Sequence, residues 1–292
     1  MTIYELSIIS TTGFPYYNKT LKPLPKGVDV FLRFFDFSNI IGERIPDDAP
    51  ELMFDLKAGL ISALFEFARN IDKRIKILEF RPKSPEESTD ADLIQKEESP
   101  IGDVIITTTT ESYLLHNQIR KKINLIHNEF ISSRLPLDSA YEIPNIDQTN
   151  IIDILIDKKA RDHIKKKEKQ LNTRALELLD DWGEYGLRGI VCASFDLSPI
   201  ICFSKGNKYL LEDIDKILRE IGNIPDIESY EWDYRQSLHN NKPMWVFIIN
   251  SGAGVTVKEV FEPYYYLLLA DPNSYVGEFP TKLITEFNQI IN

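Results

Sequence analysis

Apolar residues recur along residues 50–71, PELMFDLKAGLISALFEFARNI, at the three- and four-residue steps that one face of an α-helix requires. Leu52, Leu56, Leu60, Leu64, Phe67 and Ile71 form one stripe, and Met53, Phe54, Ile61, Phe65 and Ala68 widen it. A stripe this broad predicts a core helix rather than a surface one. Gly59 sits inside it, where glycine costs about 1 kcal/mol relative to alanine, so the pattern also predicts a close approach there, most simply by a sheet.

Strand-like patterning surrounds this helix. Residues 3–10 are short, apolar and β-prone, and Thr11, Thr12 and Gly13 then supply turn chemistry before Pro15, Tyr16 and Tyr17, which predicts a hairpin. Residues 28–37, 75–80 and 104–110 read as further strands, the last of them rich in β-branched residues. Ile119, Ile123, Ile126 and Phe130 mark an amphipathic helix that closes a first domain, residues 1–136. Residues 82–102 are polar and rich in proline, serine and acid, too poor in apolar anchors to offset the entropy of ordering, and are expected to form a mobile loop.

Residues 137–186 read as a linker and one long helix from about 150 to 182. Ala160, Ile164, Leu171, Ala175, Leu178 and Trp182 fall in a narrow arc at about 100° per residue, while Lys158, Lys159, Arg161, Lys165, Lys166, Lys167 and Lys169 cover the remainder. Gly183, Gly186 and Gly189 end the helix and open a second domain, residues 187–292. Its hairpin joins 190–195 to 200–203 around Asp196, Leu197, Ser198 and Pro199, and Leu210, Leu211, Ile214, Ile217, Leu218 and Ile221 mark a helix stopped by Gly222. Strands follow at 230–238, 245–249 and 260–269, and a closing helix over 279–291 has Pro280 in its first turn. Both halves therefore run hairpin, helix, strands, terminal helix, as a tandem repeat would. The predicted fold class is α+β: two antiparallel-sheet domains with packed helices, joined by a long amphipathic helix.

Composition narrows the function. With 292 residues, 43% of them hydrophobic, the chain can build two domains of ordinary size. A formal charge of −11 argues against nucleic acid as the main partner, because phosphate binding needs a basic surface. Two cysteines form neither a disulfide framework nor a zinc site, which points to a reducing, cytoplasmic setting. The first residues lack the basic and apolar regions of a signal peptide, and no apolar run reaches the length of a membrane span.

Gly13, Pro15 and Tyr16 in the first turn, the text Gly59-Leu60-Ile61-Ser62-Ala63-Leu64 with Phe67 and Ala68, and the strand at 75–80 give residues 3–135 a further meaning. This half resembles a longin domain, one of the longin and roadblock group of small α/β modules. In such domains that text belongs to the helix lying on a five-stranded antiparallel sheet. The second half is similar in element order and in its hairpin, and departs at the helix over 210–221, which is shorter and lacks the small-residue pair. The strand at 28–37 and the acidic loop are departures too. The resemblance implies a non-enzymatic scaffold or exchange factor for a small Ras-like GTPase in membrane traffic, the partner being that GTPase or another longin or roadblock protein.

The remaining chemistry is sparse. Asn250-Ser251-Gly252-Ala253-Gly254 is glycine-rich but lacks the Lys-Ser/Thr of a phosphate loop and reads as a plain turn. Cys192 and Cys202, on two arms of one hairpin, read as core residues that could face each other. His116, His127, His163 and His239 share no ligand spacing, and Glu231 and Asp233 read as a solvated strand face. Phe31, Phe34, Phe35, Phe37 and Tyr264, Tyr265, Tyr266 are expected to fill cores or a domain interface. No catalytic, cofactor-binding or metal-binding residue is assigned. The basic run of Lys158, Lys159, Arg161, Lys165, Lys166, Lys167 and Lys169 is the candidate partner surface, against the background of a solvated helix face. Two alternatives stay open: an enzyme using an interdomain cleft, and an adaptor held on an anionic membrane surface by the basic helix.

Overall fold

The computed structural model describes residues 2–37, 104–137, 141–222, 224–275 and 277–292, together with Ala58, Gly59, Ser62, Ala63, Leu64, Glu66 and Ala68. The chain divides into two compact units, Asn39–Ile101 and the remainder. In the smaller unit all seven described positions are helical, in keeping with the helix predicted over 50–71. Ala68 is buried and Leu64 half-buried, but Gly59 is exposed, and a Cβ built on it meets nothing within 4 Å among the described residues. The sheet expected to approach Gly59 has its candidate strand outside the described residues. The strand expected at 75–80 and the loop at 82–102 lie outside the described residues.

The larger unit holds two antiparallel sheets. The first comprises β1 (Ile3–Ser10), β2 (Pro15–Thr20), β3 (Val30–Asp36) and β4 (Val104–Glu111) in the order β2-β1-β4-β3. Helices α1 (His116–Phe130), α2 (Asn145–Leu155) and α3 (Lys158–Trp182) follow. The second sheet comprises β5 (Leu187–Ala193), β6 (Pro199–Phe203), β7 (Trp232–His239), β8 (Lys242–Val257) and β9 (Val260–Ala270), in the order β6-β5-β9-β8-β7. Helix α4 (Leu211–Glu220) lies between β6 and β7, and α5 (Phe279–Ile291) closes the chain.

Strand alternation sends successive side chains of the second sheet to opposite faces, and both faces are covered. Cys192, Phe247, Ile249, Tyr264, Tyr266 and Leu268 pack under Ala160, Ile164, Leu171, Ala175 and Leu178 of α3 and Leu283 and Phe287 of α5. Val191, Val246, Ile248, Tyr265, Leu267 and Leu269 pack against Ile214, Ile217 and Leu218 of α4 and against Tyr113 and Leu115, which precede α1. The α3 residues buried here include every member of the apolar arc read from the sequence. On the first sheet, Leu6, Ile8, Phe35, Val104 and Ile106 meet Ile119, Ile123 and Ile126 of α1 and Ile151 and Leu155 of α2, and Val257 and Val260 at the tip of the β8–β9 hairpin reach this same core.

Four expectations are corrected. The long helix over 150–182 is two helices, because Asp157 between them takes a left-handed φ of 53°. The segment 250–254 is not a turn but the bulged middle of β8, whose register with β9 shifts between Asn250 and Gly254. Its glycines answer to space: a Cβ on Gly252 would lie 2.4 Å from the Tyr230 ring, and one on Gly254 would lie 2.2 Å from the Glu262 carbonyl oxygen. Cys192 and Cys202 do not face each other, since Cys192 is opposite Ile201 and Cys202 is opposite Val191. Phe31 and Phe34 are 49% and 61% exposed on β3, whereas Phe35 and all three tyrosines of 264–266 are buried.

Candidate functional site

Asp157 sets the start of α3, its backbone carbonyl accepting the Arg161 amide at 2.9 Å. The first turn then carries Lys158, Lys159 and Arg161 and no acid, while the last turn carries no base and holds Asp180 and Asp181. This order opposes the helix macrodipole, which favours acids at the N-terminus and bases at the C-terminus by about 0.3–1 kcal/mol each. The basic run is therefore not explained by the stability of its own helix.

All seven basic residues lie on α3, and the fold uses three of them. Lys158 Nζ meets Asp162 Oδ2 at 2.6 Å, and Lys159 Nζ donates to the Thr256 carbonyl at 2.6 Å. Arg161 donates to the Ile156 carbonyl at 2.7 Å, to the Pro199 carbonyl at 3.2 Å and to the Ser198 hydroxyl, fastening α3 to the start of β6. Lys165, Lys166 and Lys169 are exposed and Lys167 is half-buried, and none of the four makes an ion pair among the described residues. Their field reaches neighbours: the hydrogen bond from Lys158 lowers the Asp162 pKa first, and the charges of Lys165 and Lys166 add to it.

Beside these lysines α3 and β6 enclose an open groove of about 510 Å³, lined by Lys165, Lys166, Glu168, Lys169 and Asn172 from the helix and by Ile201, Cys202 and Phe203 from the strand. β6 is the edge of its sheet.

A second polar centre is buried and was not read from the sequence. Lys122 of α1 lies with Nζ 2.6 Å from Asp157 Oδ1 and 2.9 Å from Asp196 Oδ2, its side chain fully shielded from solvent. Asp196 also accepts from the Thr2 hydroxyl, from Ser194 Oγ at 2.9 Å and from the Ser198 amide at 3.0 Å. Asp157 receives no hydrogen bond of acceptable geometry on either carboxylate oxygen, and Glu262 Oε2 is likewise unpartnered among the described residues. The asymmetry separates the carboxylates. Burial pushes Asp196 up, but the Lys122 charge and the Thr2 hydroxyl outweigh it and hold Asp196 well below its ordinary value. Burial, with the Asp196 charge adding, pushes Asp157 up to about 7, and burial with the Asp157 charge pushes Glu262 up to about 8. Lys122, against the cost of burial, is held above its ordinary value by Asp157 and then Asp196. A lysine so held keeps its proton and offers no nucleophilic amine. Its one signal in the sequence is its place three residues after Ile119, within the apolar stripe of α1.

Nearby, the wholly buried Glu111 carboxylate accepts from Arg219 Nε at 2.9 Å and Nη2 at 2.7 Å and from the Tyr4 hydroxyl. Burial raises its pKa, and the Arg219 and Tyr4 hydrogen bonds outweigh that and lower it. Burial pushes the Cys202 thiol up to about 12, and Cys192 rises by the same cause, so neither is a ready thiolate. The histidines are occupied locally: His163 Nδ1 lies 2.7 Å from the Tyr264 hydroxyl, and His127 stacks on Phe37 at 4.0 Å. Among the described residues no group of three or more His, Cys, Asp or Glu is placed to hold a metal ion, and no helix is long and apolar enough to cross a membrane. Set against known proteins, the chain matches no family model and no curated protein at a significant level.

Proposed function

We propose that the chain is a non-enzymatic protein-interaction module, made of longin-like halves, that regulates a small Ras-like GTPase at a membrane surface, its partner meeting the basic face of α3. The observation that carries this reading is the set of four lysines, Lys165, Lys166, Lys167 and Lys169, which make no ion pair among the described residues in a chain of net charge −11. Lysine side chains held in one stretch and left unanswered raise the encounter rate of an acidic partner. Support for the longin-like part comes from the five-stranded antiparallel sheet in residues 187–292, covered by helices, and from the helical Gly59, Ser62, Ala63, Leu64 and Ala68, which are among the residues that carry the resemblance.

The test uses small GTPases of the same cell, each loaded with GDP or with a non-hydrolysable GTP analogue. Binding should prefer one nucleotide state, because a regulator shifts an equilibrium only through differential affinity. Replacing Lys165, Lys166 and Lys167 with Glu should slow association by about tenfold and weaken its salt dependence, with the melting temperature unchanged. If none of these GTPases binds in either state, the reading falls.

A further inference from the structure

Strand β6 presents one edge to which no described strand is paired, and on an edge strand about half of the backbone N–H and C=O groups point away from the sheet. Arg161 ties the start of α3 to Ser198 and Pro199, and the groove places residues 165–172 of the helix beside 201–203 of the strand. Helix and strand thus run side by side in the same sense. Lys165 and Lys169, one turn apart, are separated by a rise of about 6 Å. Side chains at alternate positions of an extended chain are separated by about 6.7 Å. The two spacings differ by less than the reach of a lysine side chain.

We propose that this groove receives an extended acidic segment of a partner protein, which adds to the sheet as a sixth strand beside β6 and sets carboxylates at alternate positions against Lys165 and Lys169. The proposal rests on the reading that the basic face of α3 receives a partner, and it names the partner's chemistry. Glu168, between the two lysines, selects alternation over a continuous acidic run, since a carboxylate at every position would meet it. Ile201, half-buried beside the groove, offers apolar surface for an intervening side chain. A lipid headgroup answers the lysines but has no ladder of amides to offer the strand edge, so backbone pairing separates a protein segment from a membrane.

The experiment measures fluorescence anisotropy of the full chain with a labelled peptide of alternating Glu and Val. Its companions are a peptide of the same composition with Glu and Val in separate blocks, the alternating peptide N-methylated at every second residue, and phosphatidylserine vesicles. The alternating peptide should bind at least about tenfold tighter than the other two, and Lys165→Glu with Lys169→Glu should weaken it by about tenfold or more. Amide exchange in β6 supplies a local readout, because strand addition pairs N–H groups on its free edge. The bound peptide should slow exchange of residues 200–203, measured by hydrogen–deuterium exchange with mass spectrometry. Equal binding of the N-methylated or the block peptide overturns strand addition, and so does vesicle binding without peptide binding. Loss of peptide binding with GTPase binding intact removes this groove and leaves the proposed function, whereas peptide binding in a chain that binds no GTPase keeps the groove and removes that function.

Discussion

A lysine placed on the buried face of a helix costs several kcal/mol unless its charge is answered, and Lys122 is answered by Asp157 and Asp196. Two carboxylates for one lysine, with Glu262 beside them, leave the cluster with more acid than base. The excess is relieved by protonation of Asp157 and Glu262, which binds protons in the folded state that the unfolded chain has already released. Their folded pKa values of about 7 and about 8 stand above the ordinary 3.8 and 4.5, so the stability linked to them is full below those ordinary values and is lost as pH rises toward 8. Asp196 and Glu111 are lowered, so their contribution is present above the ordinary carboxylate range and is lost as pH falls through it. The melting temperature should therefore peak at about pH 4 to 4.5, where the unfolded carboxylates titrate, and decline from there toward pH 8, with a slope of at most about 1.4 kcal/mol per pH unit for each raised group. Glu262→Gln should flatten the decline, and an unchanged slope would remove Glu262 from this account. Two glycines give a second test at the same scale. Gly59→Ala should stabilise by up to about 1 kcal/mol, since the position is helical and open, while Gly254→Ala should destabilise by about 1–3 kcal/mol, since its methyl group meets the Glu262 carbonyl. Chemical denaturation distinguishes the two signs, and a destabilising Gly59→Ala would restore the close packing that the sequence alone predicts.

At the scale of elements, the junction of α2 and α3 depends on a residue that is neither glycine nor proline. Asp157 holds φ at 53°, a conformation that costs most residues about 1–2 kcal/mol and that Asn tolerates well. Asp157→Asn should accordingly be neutral or stabilising at pH 8, where it also removes an awkward charge, and Asp157→Ala should be less stable than Asp157→Asn by about 1–2 kcal/mol. Equal stabilities would mean that the backbone there is unstrained. This junction also marks where the sequence stopped being legible. The apolar arc of α3, the first hairpin and the stop of α4 at Gly222 all follow from local periodicity or turn chemistry, and each is found in the structure. The break at Asp157 follows from Lys122, 35 residues earlier in the chain and on another helix, which no local pattern reports. The continuity of β8 through its glycines depends on Tyr230 and Glu262 as neighbours, and glycine alone reads as a turn. The basic run was visible as a charge asymmetry. Which of its members the fold consumes was not, because Arg161 finds its partners on Ser198 and Pro199, 37 and 38 residues away.

For the larger unit as a whole, the two sheets are joined by buried groups rather than by one helix alone. Tyr113 and Leu115, between β4 and α1, pack into the core of the second sheet, and the β8–β9 tip packs into the core of the first. Hydrogen bonds cross at the same place: Tyr113 to Asp215 at 3.0 Å, Gln118 to Tyr265 at 3.3 Å, and Arg219 to Glu111 at 2.7 Å. Neither core can be opened without exposing residues that belong to the other. Arg219→Met should then cost about 1.5–3 kcal/mol, because it removes two charge-assisted hydrogen bonds from the wholly shielded Glu111 carboxylate and leaves it Lys22, 3.7 Å away, as its cation. The loss should be felt on both sides. All three tryptophans, Trp182, Trp232 and Trp245, belong to α3 or to the second sheet, so their fluorescence reports that side, while amide exchange in β1 and β4 reports the first sheet. In denaturant the two probes should give coincident transitions, and Arg219→Met should move both midpoints together. If the tryptophan midpoint shifts while exchange in β1 and β4 holds, the two sheets unfold independently, and the buried Glu111–Arg219 pair does not couple them.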